Sequence, residues 1–294
     1  MDLVNFVMDS SAKYSRFSEW IEDISDKRVK DWPLMSSPWP TLCIAFMYGT
    51  MVRVGPKLME NQKPFELKWI LVLYNLFVSL LNLYICGELY FLQRALGYNW
   101  ECQPVNYSSD ALEMRVAAAL WWYYFSKFVE MADTVFFILR KKDSQLTFLH
   151  VYHHSTMFML WWIGIKYVAG GSAVFGAMFN SLVHVLMYLY YCLTALGPRF
   201  RKFAWWKQYL TVVQLCQFMA AMMMGIRALI VGCDFPQWMQ YSLVLYMMSF
   251  LVLFSNFYRQ TYLRARHHSQ TKIMNSPGHA NGVKKSESFQ KKDV

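Results

Sequence analysis

The sequence predicts an all-α, polytopic membrane protein that crosses the bilayer seven times. Hydrophobic residues make up 56% of the 294 residues and charged residues only 16%, which is more apolar than a typical soluble domain. Seven stretches approach the roughly 20 mostly apolar residues that a helix needs to cross the hydrocarbon core. No segment shows the alternating pattern of a membrane β-strand. The predicted fold class is therefore a bundle of transmembrane helices.

The seven predicted spans follow one another along the chain with short polar loops between them. The first span is the weakest, because Pro38 and Pro40 lie at its start and Arg53 lies within it. The other six are long and rich in Leu, Phe, Trp, Tyr and Met. We predict the spans at residues 38–55, 68–90, 113–139, 147–168, 172–195, 205–231 and 238–260.

Two segments flank the predicted membrane domain of residues 36–262. Residues 1–35 hold no apolar core of the signal-peptide type, so insertion is predicted to use internal helices. Residues 263–294 are polar, and we expect them to be disordered. The chain ends with Lys291, Lys292, Asp293 and Val294. This pattern resembles the dilysine retrieval signal of endoplasmic reticulum membrane proteins, which predicts that location.

The distribution of Lys and Arg predicts a lumenal N-terminus and a cytosolic C-terminus. Basic residues cluster in the loops after predicted spans 1, 3 and 5 and in the tail, and they are sparse after spans 2, 4 and 6. Residues 1–35 oppose this assignment, because they are also basic. A glycosylation sequon at Asn106 falls in a predicted lumenal loop and agrees with it.

Two cysteines and the net charge bear on the environment of the chain. Cys102 and Cys233 lie in different loops that are both predicted to be lumenal, a compartment that permits disulfides, and we predict that they are bonded. The six cysteines form no CxxC pair, which argues against a zinc site of that type.

The net charge is +10, and the charged residues flank apolar runs. Membrane lipid is therefore the expected partner and nucleic acid is not.

Polar residues inside the predicted spans are candidate functional groups, because ionisable side chains are costly within a bilayer. In span 4, His150, His153 and His154 have the i, i+3, i+4 spacing of one helical face. Spans 3, 5 and 6 carry further polar residues, namely Lys127, Glu130, Asp133, Thr134, Asn180, His184, Tyr188, Gln214 and Gln217. Counted inward from the cytosolic basic residues, these groups lie about 10 to 20 Å deep. They are therefore predicted to line one chamber that opens to the cytosol.

Several interpretations of the histidines remain open. Interhelical hydrogen bonding would be a purely structural role. A metalloenzyme of the hydroxylase or desaturase kind is another, but His267, His268 and His279 lie in the polar tail, so few histidines remain for a diiron centre. A seven-helix receptor or transporter would place polar groups along a pathway rather than in one layer. No serine or cysteine has a nucleophile motif, so histidine is the candidate for acyl transfer.

Four motifs together resemble the very-long-chain fatty acid elongases, the ELO condensing enzymes. The histidine box is His150-Val151-Tyr152-His153-His154. The other three motifs occur in the order and spacing of that family and contain the following residues: Lys127, Glu130, Asp133 and Thr134; Asn180, His184, Met187, Tyr188, Tyr190 and Tyr191; Thr211, Gln214, Gln217 and Phe218. The resemblance extends from about residue 30 to residue 262 and is strongest to the branch that acts on very long and polyunsaturated chains.

The resemblance implies the condensing step of microsomal elongation. Malonyl-CoA and a long-chain acyl-CoA would be the co-substrates, a 3-oxoacyl-CoA, CO2 and CoA the products, and no cofactor or metal would be needed. Six helices would surround an acyl tunnel that is closed at the lumenal end, and one helix would lie outside. The reductases and the dehydratase of the elongation cycle would be partners. Chain length, unsaturation preference and homo-oligomer formation are not readable from the sequence.

The resemblance and the chemistry of condensation also suggest roles for individual residues. We hypothesise that His153 accepts the acyl group as an acyl-imidazole and that His184 assists as a base or oxyanion partner. His150 and His154 would orient this pair, and Asn180 or Gln214 could donate a hydrogen bond to the oxyanion. The remaining candidates for substrate binding are Lys127, Glu130, Asp133, Tyr188 and Gln217. For Lys127, Glu130 and Asp133, a structural ion-pair network is the open alternative.

Overall fold

Helices account for most of the described chain, which comprises residue 19, residues 21–197, residue 200 and residues 206–263 of a computed structural model. No strand occurs within these ranges. The dilysine signal at Lys291 and Lys292 and nearly all of the predicted polar tail lie outside them. The α-helices that lie wholly within them are α1 (Trp39–Leu58), α2 (Lys68–Ala95), α3 (Ala111–Glu130), α4 (Ala132–Leu139), α5 (Phe148–Val168), α6 (Ala173–Leu196), α7 (Trp206–Ile230) and α8 (Gln237–Tyr258).

Four helical segments of the described chain are long and apolar enough to cross a membrane. They are Lys68–Ala95, Ala173–Leu196, Trp206–Ile230 and Gln237–Leu263, and they coincide with four of the predicted spans. The other three predicted spans are helical and correspond to α1, to α3 with α4, and to α5. That these three segments cross the membrane stays a prediction. Their hydropathy is lower because α1 carries Arg53 and Lys57, and because the others carry polar groups that point into the protein.

The prediction of one continuous helix over 113–139 is wrong, because the helix is interrupted at Met131. The amide of Met131 donates to the carbonyl of Phe128, and the amide of Thr134 donates to the carbonyl of Met131, at 3.2 and 3.1 Å. These i to i−3 bonds tighten the turn, as in a 3₁₀ segment. The tighter turn rotates the residues of α4 relative to those of α3, so Glu130 contacts His184 on α6 whereas Thr134 contacts His150 on α5.

The helices pack around an aromatic core. α2 lies along α6, α7 lies along α8, and α5 contacts both α1 and α3. Between α3 and α5, the rings of Tyr124 and Phe158 stack with centroids 5.0 Å apart, and Tyr123 meets Trp161 edge-on at 4.4 Å. Large apolar side chains such as Trp69 and Leu73 remain exposed on α2. Such a surface is the one expected to face lipid rather than water.

Loops at one end of the bundle are joined covalently, and we call this the disulfide end. Cys102, between α2 and α3, is bonded to Cys233, between α7 and α8, with Cα atoms 5.4 Å apart. The structure thus forms the pair that the sequence predicted. Gly171 at the turn between α5 and α6 has a φ of +57°, and a Cβ there would come within 2.7 Å of the carbonyl oxygen of Gln103. Glycine is therefore required where this turn meets the loop.

Residues 22–35 pack across the same end of the bundle. The carboxylate of Asp26 pairs with the guanidinium of Arg28, and both side chains are almost fully buried. Arg28 also donates to the carbonyls of Asn106 and Ala169, at 2.8 and 3.0 Å, which ties the segment to two interhelical loops. The Lys166 ammonium donates to Glu22 at 3.0 Å and lowers the pKa of that carboxyl. The segment is therefore a fixed part of the fold.

The buried Asp26–Arg28 pair gives the first testable prediction. The substitution Arg28→Ala leaves the Asp26 carboxylate buried without its partner, which typically costs about 3 to 5 kcal/mol. We expect a clear decrease in the thermal unfolding midpoint of the detergent-solubilised protein.

The matched control is Lys27→Ala. Lys27 is exposed and lies 4.0 Å from Asp23, so its loss should change the free energy of unfolding by less than about 1 kcal/mol. Equal midpoints for the two variants would contradict the structural role of residues 22–35.

Candidate active site

A buried ion pair lies at the centre of the polar residues. Lys127 and Glu130, one turn apart on α3, expose 1% and 0% of their surface. The Lys127 Nζ atom lies 3.0 Å from Oε1 and 3.1 Å from Oε2 of Glu130. Burying two charges is costly unless they are paired and hydrogen-bonded. Glu130 meets that condition through an additional donor, the Asn82 amide at 3.4 Å.

The same carboxylate binds the ring of His184 on α6. The His184 Nδ1 atom lies 3.1 Å from Glu130 Oε1, and an ionised carboxylate can only accept a hydrogen bond. The Nδ1 atom must therefore carry the proton. Lys127 also approaches Nδ1, at 3.5 Å, but its three hydrogens already serve the two oxygens of Glu130 and the oxygen of Asn180. In the neutral ring, Nε2 of His184 is consequently the basic nitrogen.

Asn180 connects this ion pair to α7. Its Oδ1 atom accepts from Tyr123 at 2.7 Å and from Lys127 at 3.2 Å, and its Nδ2 atom donates to Gln217 Oε1 at 3.3 Å. Hydrogen bonds thus run from α3 through α6 to α7. Tyr123 was not among the residues predicted from the sequence, although its position four residues before Lys127 places both on one face of α3.

One member of the histidine box on α5, His153, faces this network. The ring centroid of His153 is 6.1 Å from that of His184 and 5.6 Å from that of Phe250. The Nε2 atom of His150 instead lies 2.8 Å from the Thr134 hydroxyl, which is bonded in turn to Tyr48 at 3.0 Å. His150 is therefore held at the side of the site that faces α1 and α4.

His154 completes the group of imidazoles. Its ring centroid is 4.4 Å from that of His150 and 5.0 Å from that of His153. It is buried, with 6% of its surface exposed. His154 therefore packs between the other two rings of the box.

Asp133, Tyr188 and Gln214 surround the centre without joining its hydrogen bonds directly. The Tyr188 hydroxyl donates to Asp133 Oδ2 at 2.6 Å, and its ring centroid is 5.9 Å from that of His184. Gln214 donates to the sulfur of Met187 at 3.6 Å. These three residues form the margin of the site, while Lys127, Glu130, Asn180, His184 and Gln217 are joined by direct contacts.

The sequence predicts that four helices bring their polar groups into one layer. In the structure, polar side chains of α3, α6 and α7 are joined by hydrogen bonds, and His153 of α5 faces His184 of α6. Tyr48 on α1, which sequence reasoning missed, gave no signal among the many tyrosines of the chain. Asn106, Cys102 and Cys233 lie at the disulfide end, away from this layer. Among the described residues, no group of three or more His, Cys, Asp or Glu side chains is arranged to hold a metal ion.

These features define a class of protein, a helical membrane protein whose buried ion pair orients a histidine opposite a histidine box. Residues 33–270 match the family described as ELO: GNS1/SUR4 family. Because this match covers most of the chain, the protein belongs to that family.

Relatives from several animals are similar over nearly the whole chain. A protein of Mus musculus named very long chain fatty acid elongase 4 is 52% identical over 271 residues, which cover 92% of this chain and 87% of the mouse protein. A Rattus norvegicus protein named very long chain fatty acid elongase 7 is 44% identical, with 88% and 93% covered. The elongase 7 of Drosophila melanogaster is 41% identical, with 92% and 82% covered.

The ion pair makes a prediction about stability. Glu130→Gln leaves the Lys127 ammonium buried without a counter-charge, which should cost about 3 to 5 kcal/mol. The double substitution Lys127→Met with Glu130→Gln removes both charges, and exchanging a buried pair for uncharged groups is often close to neutral. We therefore expect the double variant to unfold at a higher temperature than Glu130→Gln alone. A double variant less stable than either single variant would contradict this interpretation.

Proposed function

We propose that this protein is the condensing enzyme of fatty acid elongation, a very-long-chain 3-oxoacyl-CoA synthase. A long or very-long-chain acyl-CoA, malonyl-CoA and one proton would give a 3-oxoacyl-CoA two carbons longer, CO2 and free CoA. The names of the relatives and the family support the assignment. The observation that carries it is the pair of facing imidazoles, His153 and His184, of which the second is oriented by a buried carboxylate.

In the first stage, a ring nitrogen of His153 attacks the thioester carbon of the acyl-CoA. The new C–N bond replaces the C–S bond, and the proton released by His153 passes to the CoA sulfur. The Nε2 atom of His184 is suited to carry this proton, because Nδ1 is held by Glu130. The positive charge on the His184 ring would be stabilised by that carboxylate, as in other histidine–carboxylate pairs.

In the second stage, malonyl-CoA loses CO2 and becomes a thioester enolate. The enolate carbon attacks the acyl carbon, the bond from that carbon to His153 breaks, and His153 recovers a proton, which accounts for the one consumed overall. No serine, cysteine or bound cofactor is needed for these steps. The co-substrates themselves supply the activated carbons.

The surroundings of the site support an acyl substrate. Aromatic side chains on the disulfide side of the histidines, including Phe158, Trp161 and Phe175, belong to the apolar core of the bundle. We propose that six helical segments surround an acyl tunnel there and that a seventh is peripheral. The basic loops after α1 and α4 would hold the CoA phosphates, to which Lys and Arg donate charge-assisted hydrogen bonds.

The orientation and location follow as part of the same proposal. Residues 22–35, Asn106 and the disulfide share one end of the fold, which supports a lumenal assignment for that end, with Asn106 glycosylated. The C-terminal end would then be cytosolic, in the endoplasmic reticulum membrane. The 3-oxo product requires reduction, dehydration and a second reduction, so reductases and a dehydratase are the proposed partners.

The direct test is an activity assay on the purified protein. We expect extension by two carbons when the protein is incubated with malonyl-CoA and a panel of long-chain acyl-CoAs, and the panel would reveal the preferred chain length. In the Lys127→Met, Glu130→Gln double variant, His184 loses its carboxylate acceptor. The condensation rate should therefore fall by about 10²-fold or more, in the range of general acid–base effects, even though the fold persists.

The control removes an ion pair that is exposed. Arg227 and Glu101 pair at the disulfide end with more than half of each side chain exposed, and the Arg227→Met, Glu101→Gln variant should condense at the wild-type rate. Wild-type protein that forms no extended product would refute the proposed function. A double variant of Lys127 and Glu130 with full activity would refute the role of the carboxylate in it.

A further inference from the structure

The directions of the hydrogen bonds around Asn180 determine which way its amide group points. Lys127 has three donors and no acceptor, and its Nζ atom lies 3.2 Å from Asn180. The atom of Asn180 that it contacts must therefore be the oxygen. Tyr123 donates to the same oxygen at 2.7 Å, which is consistent with this orientation. The amide nitrogen of Asn180 then has to face the opposite side, toward α7.

The orientation of Asn180 in turn determines that of Gln217. The Asn180 Nδ2 atom donates to Gln217 Oε1 at 3.3 Å. If Gln217 were reversed, two NH2 groups would face each other, which would leave both without an acceptor. Its Oε1 atom is thus committed to Asn180, and its Nε2 atom is directed away from Asn180.

The Nε2 atom of Gln217 has no hydrogen-bond acceptor among the described residues, and its side chain is only partly buried. The neighbouring Phe218 stacks on Phe250 with centroids 5.1 Å apart, and Phe250 lies 5.6 Å from the ring of His153, so this turn of α7 borders the site. Gln217, which is bound to Asn180 at the same turn, offers an unused donor there. A donor held in such an apolar setting interacts strongly with a developing negative charge.

We infer that Gln217 Nε2 donates a hydrogen bond to the oxyanion that forms on the acyl carbon at His153, and that Lys127 fixes this orientation through Asn180. The inference rests on the proposed condensation. It assigns Gln217 as a catalytic residue and Asn180 as a positioning residue.

The two donors suggested by the sequence are less suited to this task. Asn180 is already bound by Lys127, Tyr123 and Gln217. The amide of Gln214 is directed at the sulfur of Met187 at 3.6 Å. Neither residue presents an amide nitrogen without a protein partner, whereas Gln217 does.

The bond changes show where the donor acts. When the nitrogen of His153 adds to the thioester carbon, the electron pair of the C=O bond moves to oxygen, and the Gln217 N–H would stabilise that charge. The carbonyl re-forms as the C–S bond breaks and CoA leaves. The same oxygen becomes negative again when the malonyl-derived carbon adds to the acyl carbon, and the carbonyl re-forms as the bond to His153 breaks. One donor therefore serves both stages.

The test compares Gln217→Met with Asn180→Asp in the full-length protein. Gln217→Met keeps the size of the side chain and removes the donor, so kcat for condensation should fall by about 10²- to 10³-fold, with the KM for acyl-CoA within about threefold of wild type. Asn180→Asp offers oxygen on both sides, so Gln217 should reverse and donate to the new carboxylate. We expect a similar loss of kcat, and little additional loss when both substitutions are combined.

The control is Gln240→Met, the same substitution in a buried glutamine of α8 whose Nε2 atom also has no partner, and it should keep the wild-type kcat. If Gln217→Met fails to fold, Gln217→Leu carries the same expectation. If the wild-type enzyme condenses and Gln217→Met keeps its kcat, the assignment of Gln217 would be overturned while the proposed function stands. The same holds if Gln214→Met loses kcat and Gln217→Met does not. A wild-type protein without condensation activity would overturn the proposed function and this inference together.

Discussion

The buried ion pair of Lys127 and Glu130 is the constraint on which the rest of the site depends. One ammonium group with three hydrogens satisfies both oxygens of Glu130 and the oxygen of Asn180. Because the ammonium group can only donate hydrogen bonds, the oxygen of Asn180 must face it. Its effect on His184 is indirect and passes through Glu130, whose carboxylate holds the proton on Nδ1. Without this pair, the imidazole and the two amides could each adopt either of two orientations. The pair thus fixes the orientations of the His184 imidazole and of the Asn180 and Gln217 amides.

The location of the pair explains features of the fold at a distance from it. Because α3 carries Lys127 and Glu130, it looks less like a membrane helix than α2 or α6 does. The tightened turn at Met131 follows directly after Glu130 and turns Thr134 toward His150. The chemistry is thus divided between α3 and α5, which lack the composition of a membrane span, and α6 and α7, which have it.

Much of this architecture could be predicted from the sequence, because it depends on local spacing. The helices lie close to their predicted bounds, although α2 continues to Ala95 rather than ending near residue 90. The disulfide joins the predicted cysteines, and the polar groups of four helices converge. The interruption at Met131, the contribution of Tyr48 and the direction of each amide could not be predicted. Those features depend on contacts between residues far apart in the chain, such as the contact between Asn180 and Gln217.

The acyl-imidazole at His153 is tested most directly by the mass of the protein after brief mixing with a long-chain acyl-CoA in the absence of malonyl-CoA. We expect release of one CoA per active site and one acyl group on the peptide that contains His153. The acylated form should disappear, with release of the extended product, when malonyl-CoA is added. An acyl group attached to a cysteine, or CoA release that persists in a folded His153→Ala variant, would contradict it.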